Sequence, residues 1–164
     1  MPHSRVVLAQ LEVPLETIAV AFTQARSNGA VTVLNPAPAR DIPESLLSLA
    51  NIVVPNETES AAIGGTKNLL NLGATTVITT LGADGASIET KSSTTHIDPH
   101  KVTPIDTVGA GDAFIGATCA ELSRGASIED AARMGAIAGA LATTVKGAVP
   151  SLPTRQAVLA AQKS

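Results

Sequence analysis

Pro104-Ile105-Asp106-Thr107-Val108-Gly109-Ala110-Gly111-Asp112-Ala113-Phe114 is the stretch on which the reading of this chain turns. A loop closes on Gly109-Ala110-Gly111, an acid follows at once, and the small-residue run from Ala113 to Leu122 reads as a helix. Glycines let the backbone approach a ligand closely and turn successive N–H groups toward one point. A helix N-terminus aims its unpaired N–H groups and its positive dipole end at the same place. The stretch therefore predicts an anion site with a carboxylate beside it. Asp112 reads in two ways: as a base taking a proton from a hydroxyl that attacks a phosphoryl group held by the amides, or as an acid that merely starts a helix.

Two other phosphate motifs are excluded. A phosphate loop of the Gly-x4-Gly-Lys-Ser/Thr type is absent, because Gly64-Gly65-Thr66-Lys67 has the wrong spacing. A dinucleotide fingerprint needs a glycine where Phe114 stands.

The 164 residues amount to one domain's worth of chain, 45% hydrophobic with a mean hydropathy of +0.27. There is no Trp or Tyr and only two Phe, Phe22 and Phe114, so the core must be built from Val, Leu, Ile and Ala. That composition fits a parallel α/β sheet covered by helices. A net charge of −3 without a basic run argues against nucleic acid as a partner. The single Cys119 excludes an internal disulfide and fits a reducing, cytoplasmic setting. Met1-Pro2-His3-Ser4-Arg5 leads into a strand-like run with no apolar signal segment, and no run has the length of a membrane span, so no membrane is expected.

Outward from the central stretch, strand-like and helical patterns alternate. Arg5 to Leu11 is expected as a buried strand, followed by a helix opened by Pro14 with Ile18, Ala21, Phe22 and Ala25 on one side. Ala30 to Leu34, Ile52 to Val54 and Thr76 to Thr80 read as further strands, with a short helix from Pro43 to Leu47. Gly85 to Thr90 and Thr94 to His96 read as a hairpin. Ser127-Ile128-Glu129-Asp130 resembles a capping box opening a helix to about Val145, and Leu152 to Gln162 is a last helix. The small residues Ala132, Gly135, Ala136, Gly139, Ala140 and Ala142 predict close approach, to a neighbouring element or to a flat ligand. In such sheets ligands gather beyond the carboxyl ends of the strands.

Asp106-Thr107-Val108-Gly109-Ala110-Gly111-Asp112 resembles the C-terminal signature of the ribokinase-like, phosphofructokinase-B family of carbohydrate kinases. Five further stretches agree in order: Gln10-Leu11-Glu12, Leu34 to Arg40, Pro55-Asn56-Glu57-Thr58-Glu59, Thr80 to Gly85, and Lys146 to Ser151. The resemblance covers nearly the whole chain and implies a three-layer αβα fold, represented by its C-terminal, nucleotide-binding part as a single partial domain with a mostly parallel sheet. It implies transfer of the γ-phosphoryl group of ATP to a sugar hydroxyl, with ribose the expected acceptor. Asp112 is then the base and contacts the sugar, and the amides of Gly109, Ala110 and Gly111 form the anion hole. Asn56, Thr80, Gly82 and Gly111 fall where the family binds nucleotide. Glu59 falls where it positions Mg²⁺ through water, and Glu12 where it reaches the sugar hydroxyls. Asp106, Val108, Ala142, Val145, Gly147 and Ser151 match positions that hold K⁺ or another monovalent cation.

Each of these residues has a plainer reading. Asn56 and Glu59, three apart, are an ordinary helix start. Thr80-Gly82 is a strand-ending turn, and Glu12 a solvated acid. His3, His96 and His100 lack metal-ligand spacing and read as surface residues. Two departures from the family stand out. A Gly-Gly-Lys-Gly-x-Asn sugar motif and the N-terminal half that carries it are absent, so an interior strand is expected to expose an edge. The segment between Glu59 and Thr76 is short, so a covering helix is expected to be trimmed or missing. The resemblance thus implies a sugar kinase, with pairing to a complementary N-terminal chain or homo-oligomerisation as expected partnerships. The alternatives are a catalytically silent nucleotide-binding or regulatory partner of a full-length kinase, and a fragment with no separate role.

Overall fold

The computed structural model describes residues 4–163, so His3 lies outside the described residues. Strands form where β-branched and aliphatic residues run between turn formers. They are β1 (Val6–Gln10), β2 (Val31–Asn35), β3 (Ile52–Val53), β4 (Thr76–Thr80), β5 (Ala86–Glu89) and β6 (Thr94–Ile97), and they line up in that order in one sheet. β1 to β4 are parallel, with Leu34 opposite Val53 and Val53 opposite Val77. β5 and β6 are joined by a tight turn in which the Thr90 N–H donates to the Ser93 carbonyl (2.9 Å). A connection that short joins only antiparallel strands, so the sheet is mixed but mostly parallel.

The chain gathers into two compact units, one of residues up to Thr80 with Ser87–Thr95, the other of Leu81–Ala86 with His96 onward. In the first unit, α1 (Leu15–Ser27), α2 (Glu44–Leu47), α3 (Glu57–Ala62) and α4 (Gly65–Asn71) connect the parallel strands. Ile18, Phe22, Leu46, Leu47 and Leu69 form one cluster with Leu34, Val53 and Val77, which share a sheet face because they are register partners. Burying each such side chain contributes about 1.5–3 kcal/mol. Val33, Ile52 and Ile78 alternate to the opposite face and are also buried. Two buried faces explain the near-continuous apolar runs of these strands.

Two expectations for this unit are corrected. β1 is half-buried rather than buried, with Leu8 42% exposed, because it stands at the edge of the sheet order. That matches the expectation of an exposed edge. The short segment after Glu59 keeps helical cover: α3 and α4 occupy it, divided at Gly64-Gly65, and α4 buries Leu69 and Leu70.

The second unit is helical: α5 (Ala110–Ser123), α6 (Ile128–Ala142), α7 (Ala148–Ser151) and α8 (Arg155–Ala161). The small-residue face of α6 meets an element, not a ligand-sized gap. A methyl group on Gly135 would stand 2.8 Å from the Phe114 carbonyl oxygen, and one on Gly139 3.1 Å from that of Ala110. The backbones of α5 and α6 therefore touch along these glycines.

Several boundaries differ from expectation. α5 begins at Ala110, so Ala110, Gly111 and Asp112 are its first turn and not a preceding loop. The Ser127 cap is half a capping box: its hydroxyl accepts from the Asp130 N–H (3.1 Å), but the Asp130 carboxylate accepts from Arg133 (2.6 Å). α6 stops at Ala142 because the Thr143 and Thr144 hydroxyls turn back to donate to Ala140 and Leu141 carbonyls (2.7 Å each), and the Thr143 carbonyl is engaged from outside the helix. The expected last helix, Leu152 to Gln162, begins only at Arg155, and a separate short helix, α7, precedes it. Leu152 is extended (ψ 117°), as the residue before a proline tends to be, and Thr154 caps α8 by accepting from the Ala157 N–H (3.2 Å). No helix among the described residues is long and apolar enough to cross a membrane.

Candidate functional site

Parallel strands present their carboxyl ends along one edge, and in the first unit that edge gathers four of the expected residues. Glu12 lies two positions beyond β1, Asn56 and Glu59 follow β3, and Thr80 ends β4. Asn56 and Glu59 form a complete capping box: the Glu59 N–H donates to Asn56 Oδ1 (2.8 Å) and the Asn56 N–H to Glu59 Oε2 (2.9 Å). The ordinary helix-start geometry is therefore present, and it fixes both side chains at the head of α3 with Glu59 Oε1 outside those two bonds. Asn56 also bridges Thr80 in parallel, and the Thr80 N–H donates to the Pro55 carbonyl (3.0 Å). Asn56, Glu59 and Thr80 are thus brought together.

Glu12 is exposed, but the backbone on both sides of it is held. The Leu11 N–H donates to the Ala37 carbonyl (2.9 Å), and Arg40 Nη2 donates to the Val13 carbonyl (3.1 Å). Sequence reading missed two residues here, Arg40 and Asn35. Asn35 is buried, accepts from Gln10 Nε2 (3.1 Å) and donates through Nδ2 to the Val54 carbonyl (2.8 Å). The signal available was an Asn-Pro pair closing a strand.

In the second unit the central stretch is built as a turn feeding a helix. The Ala110 N–H donates to the Thr107 carbonyl (3.2 Å), and Gly109 sits at the third position with φ +81° and ψ −1°. A type II turn requires a positive φ there, which is why glycine stands at 109. The anion-hole expectation is corrected at one point. The Ala110 N–H closes this turn, and Gly111 and Asp112 stand at the second and third positions of α5. Asp112 is exposed in this first turn.

The turn is seated on the segment after α6. The Ile105 and Asp106 N–H groups both donate to the Thr143 carbonyl (2.7 and 3.1 Å). Asp106 Oδ1 accepts from the Val108 N–H (3.1 Å) and Oδ2 from the Gly147 N–H (2.9 Å). These bonds, first that from Gly147 and then that from Val108, hold the Asp106 carboxyl below its ordinary range. The structure thus brings Asp106, Val108 and Gly147 together. The Ala142 carbonyl is engaged by the Val145 N–H (3.3 Å), and buried Ser151 donates its hydroxyl to the Ala148 carbonyl (2.7 Å). An ionised carboxylate among backbone oxygens is a hard donor set, which suits a hard monovalent cation. Gly82, with φ +57°, opens a single 3₁₀ turn to Asp84 that is closed by a bond from the Leu81 N–H to the Gly85 carbonyl (2.8 Å).

Asp112 is also among the residues lining an open cavity of about 350 Å³ between α5, α6 and α8. Its walls are apolar: Ala113, Ala117, Met134, Leu152 and Val158 among them. At its polar end, buried Glu121 accepts from Arg155 Nε and Nη2 (2.7 and 3.2 Å) and from Arg124 (3.5 Å). The Arg155 bond first, against opposing burial, keeps the Glu121 carboxyl low. Burial pushes the Cys119 thiol up to about 11, so it is protonated at neutral pH. No group of three or more His, Cys, Asp or Glu is clustered for a metal among the described residues. His96 is exposed, as a surface residue is expected to be, and His100 is half-buried.

Residues 3–155 match the family model described as pfkB family carbohydrate kinase. The chain is 42% identical over 165 residues to the ribokinase of Staphylococcus aureus strain COL, covering 93% of this chain and 54% of that protein. The crystal structure of ribokinase from Thermotoga maritima superposes with a TM-score of 0.87 at 33% identity, over 97% of this chain and 57% of that one. The structure of Arabidopsis thaliana ribokinase complexed with ribose and ATP gives 0.88 at 30% identity, over 97% and 56%. The architecture is that of the ribokinase-like α/β fold, and the chain spans about half the length of the curated relatives it matches.

Proposed function

The chain belongs to the pfkB family of carbohydrate kinases, and from that premise we propose that it is the nucleotide-binding and base-bearing part of a ribokinase-type kinase, acting on ATP and ribose. The observation that carries the reading is Asp112 in the first turn of α5, directly after the Gly109-Ala110-Gly111 turn and at the positive end of that helix. A base and an anion hole on one helical turn are what phosphoryl transfer to an alcohol asks of a protein.

In this reading the sugar hydroxyl loses its proton to Asp112 as its oxygen bonds to the γ-phosphorus. The bond from that phosphorus to the bridging oxygen breaks, and ADP leaves. The Gly111 amide and the positive end of α5 stabilise charge growing on the phosphoryl oxygens. Asn56, Thr80 and Gly82 hold the nucleotide, and Glu12 orients the sugar. Glu59 would hold Mg²⁺ through water, since one carboxylate together with substrate phosphates is a usual way to bind that ion. When bound, Mg²⁺ would supply neutralisation of phosphate charge. Asp106 with the backbone of Val108, Ala142, Val145 and Gly147 and the Ser151 side would hold K⁺, which would add positive potential behind the anion hole. The setting expected for such an enzyme is cytoplasmic.

One observation favours the second reading, a nucleotide-binding partner without sugar turnover. The cavity on the flank of Asp112 is walled by aliphatic side chains, and its Glu121 is already held by two arginines. Sugar sites need free hydrogen-bonding groups. In this reading the chain pairs with a full-length sugar kinase, which carries out the sugar turnover.

Calorimetric titration with Mg·ADP, followed by ribose-dependent ADP release, tests both. Binding with ribose-dependent release supports the kinase, and binding without it supports the silent partner. A folded sample giving no heat at millimolar Mg·ADP sinks both readings.

A further inference from the structure

In a parallel ladder, a residue whose N–H and C=O both face the neighbouring strand bonds to the carbonyl before its partner and to the N–H after it. Extending the β2–β3 register places Val54 opposite Asn35. The first bond is made, from the Val54 N–H to the Leu34 carbonyl (2.8 Å). The second requires an N–H at position 36, and Pro36 has none. The Asn35 side chain takes over that role: its Nδ2 donates to the Val54 carbonyl at 2.8 Å in a buried bond. Its Oδ1 at the same time accepts from Gln10 Nε2 (3.1 Å) at the end of β1. A buried carbonyl without its donor would cost about 1–3 kcal/mol, so the substitution of side chain for backbone is not neutral.

The consequence lies along the carboxyl edge. Gln10 is two residues from Glu12, and Val54 is two residues from Asn56, whose neighbour Pro55 accepts from Thr80. One side chain therefore ties the Glu12 turn to the turn carrying Asn56, Glu59 and Thr80. We propose that Asn35 is a positioning residue that fixes the Glu12 turn and the Asn56–Glu59 turn in register, replacing the ladder bond that Pro36 interrupts. Its side-chain bonds go to Gln10 and Val54, and its importance to binding rests on the nucleotide reading proposed above.

The test uses this chain with two readouts, amide hydrogen exchange without ligand and calorimetry with Mg·ADP. Asn35→Ala removes both bonds. Asn35→Asp keeps the volume and the acceptor but sets an oxygen against the Val54 carbonyl, and it serves if the alanine variant folds poorly. The control is Thr32→Val at the opposite, amino end of β2, which removes the Thr32 hydroxyl's bonds to the Leu49 carbonyl (2.6 Å), to Asn51 Oδ1 (2.9 Å) and from the Asn51 N–H (3.0 Å). We expect either Asn35 variant to speed exchange of the Thr80 and Glu59 amides by about tenfold or more and to weaken Mg·ADP by about tenfold. Thr32→Val should lower thermal stability comparably and leave both readouts in place. Adding Pro36→Ala to Asn35→Ala returns an N–H at position 36 and should recover part of the protection. Wild-type exchange at Thr80 and Glu59 in the Asn35 variants, or equal effects from Thr32→Val, overturns the proposal. Altered exchange in a chain that binds no Mg·ADP upholds the role of Asn35 in the fold and removes the nucleotide reading instead.

Discussion

Gly135 on α6 lies flat against Phe114 on α5, so close that a methyl group at 135 would stand 2.8 Å from the Phe114 carbonyl oxygen. Real side chains do not approach backbone so closely, and the Thr118 hydroxyl crowds the same spot. Gly135→Ala should therefore force α6 off α5 and cost about 1–3 kcal/mol in chemical denaturation. Gly116, on the exposed side of α5, has nothing within 4 Å of the same built methyl and no positive φ. Gly116→Ala should stabilise by about 0.5–1 kcal/mol through helix propensity. Opposite signs from one chemical change, a few residues apart in space, would establish the seam. Equal effects would refute it.

Asp106 gives a pH signature. Its carboxylate accepts N–H groups from both Val108 and Gly147, and its pKa is lowered from the ordinary 3.8. A carboxyl whose folded pKa is depressed contributes stability above its unfolded pKa, and that contribution is lost as pH falls through the folded value. Wild type should thus lose stability below about pH 3.8 with a component that Asp106→Asn lacks. Above that pH the variant should be the less stable of the two, by a constant margin. Melting both proteins across pH 2.5–6 checks this, and parallel curves through the acid range would rule out the clasp.

The parallel strands were legible because both of their faces are buried, so Val31–Asn35 and Thr76–Thr80 are rich in Val, Leu, Ile and Thr with no polar–apolar alternation of a half-exposed strand. The edge exposure of β1 was not legible in its own residues, since Val6–Gln10 reads no differently from an interior strand. Helix ends were the weakest point. Thr143 and Thr144 look like helix interior until their hydroxyls are seen donating back to Ala140 and Leu141. At the site, the Asn56–Glu59 spacing announced the capping box and the Gly109–Asp112 stretch announced a turn entering a helix. The bond from Asn35 to Val54 and the clasp from Asp106 to Gly147, 41 residues apart, depend on tertiary placement. Only the Asn-Pro pair hinted at the first.

Glu121 should behave as a charge that depends on Arg155. Its side chain is 11% exposed and accepts two bonds from the arginine, which ties α8 to α5. Arg155→Leu leaves an ionised, nearly buried carboxylate with only the 3.5 Å contact from Arg124. The single variant should melt well below wild type at pH 7, and the gap should narrow as pH falls below Glu121's ordinary 4.5, where protonation removes the unpaired charge. Glu121→Gln/Arg155→Leu should regain much of the lost stability at pH 7. A double variant no better than the single would mean that packing by the arginine stem, and not its charge, holds α8 in place.

Asp112 separates the two readings of the central stretch by the sign and place of its effects. As a base it acts in the transition state, so Asp112→Asn should lower kcat for ribose phosphorylation by about 10²–10⁴-fold. The KM for ATP should hardly move, because a proton acceptor adds nothing to ground-state nucleotide binding. Nucleotide binding by the chain can be checked without turnover. In the base reading, a carboxylate in the first turn of α5 would stand close to bound phosphate and repel it. Its removal should leave Mg·ADP affinity unchanged or tighten it. As a helix-starting acid alone, Asp112 would instead favour the N-terminus of α5 by about 0.3–1 kcal/mol. Asp112→Asn would then lower the melting temperature slightly and leave turnover near wild type. Calorimetry with Mg·ADP, thermal melts, and ribose-dependent ADP release by whatever assembly of this chain is active, run on one pair of proteins, distinguish the two. Weaker Mg·ADP binding with unchanged kcat would count against the base.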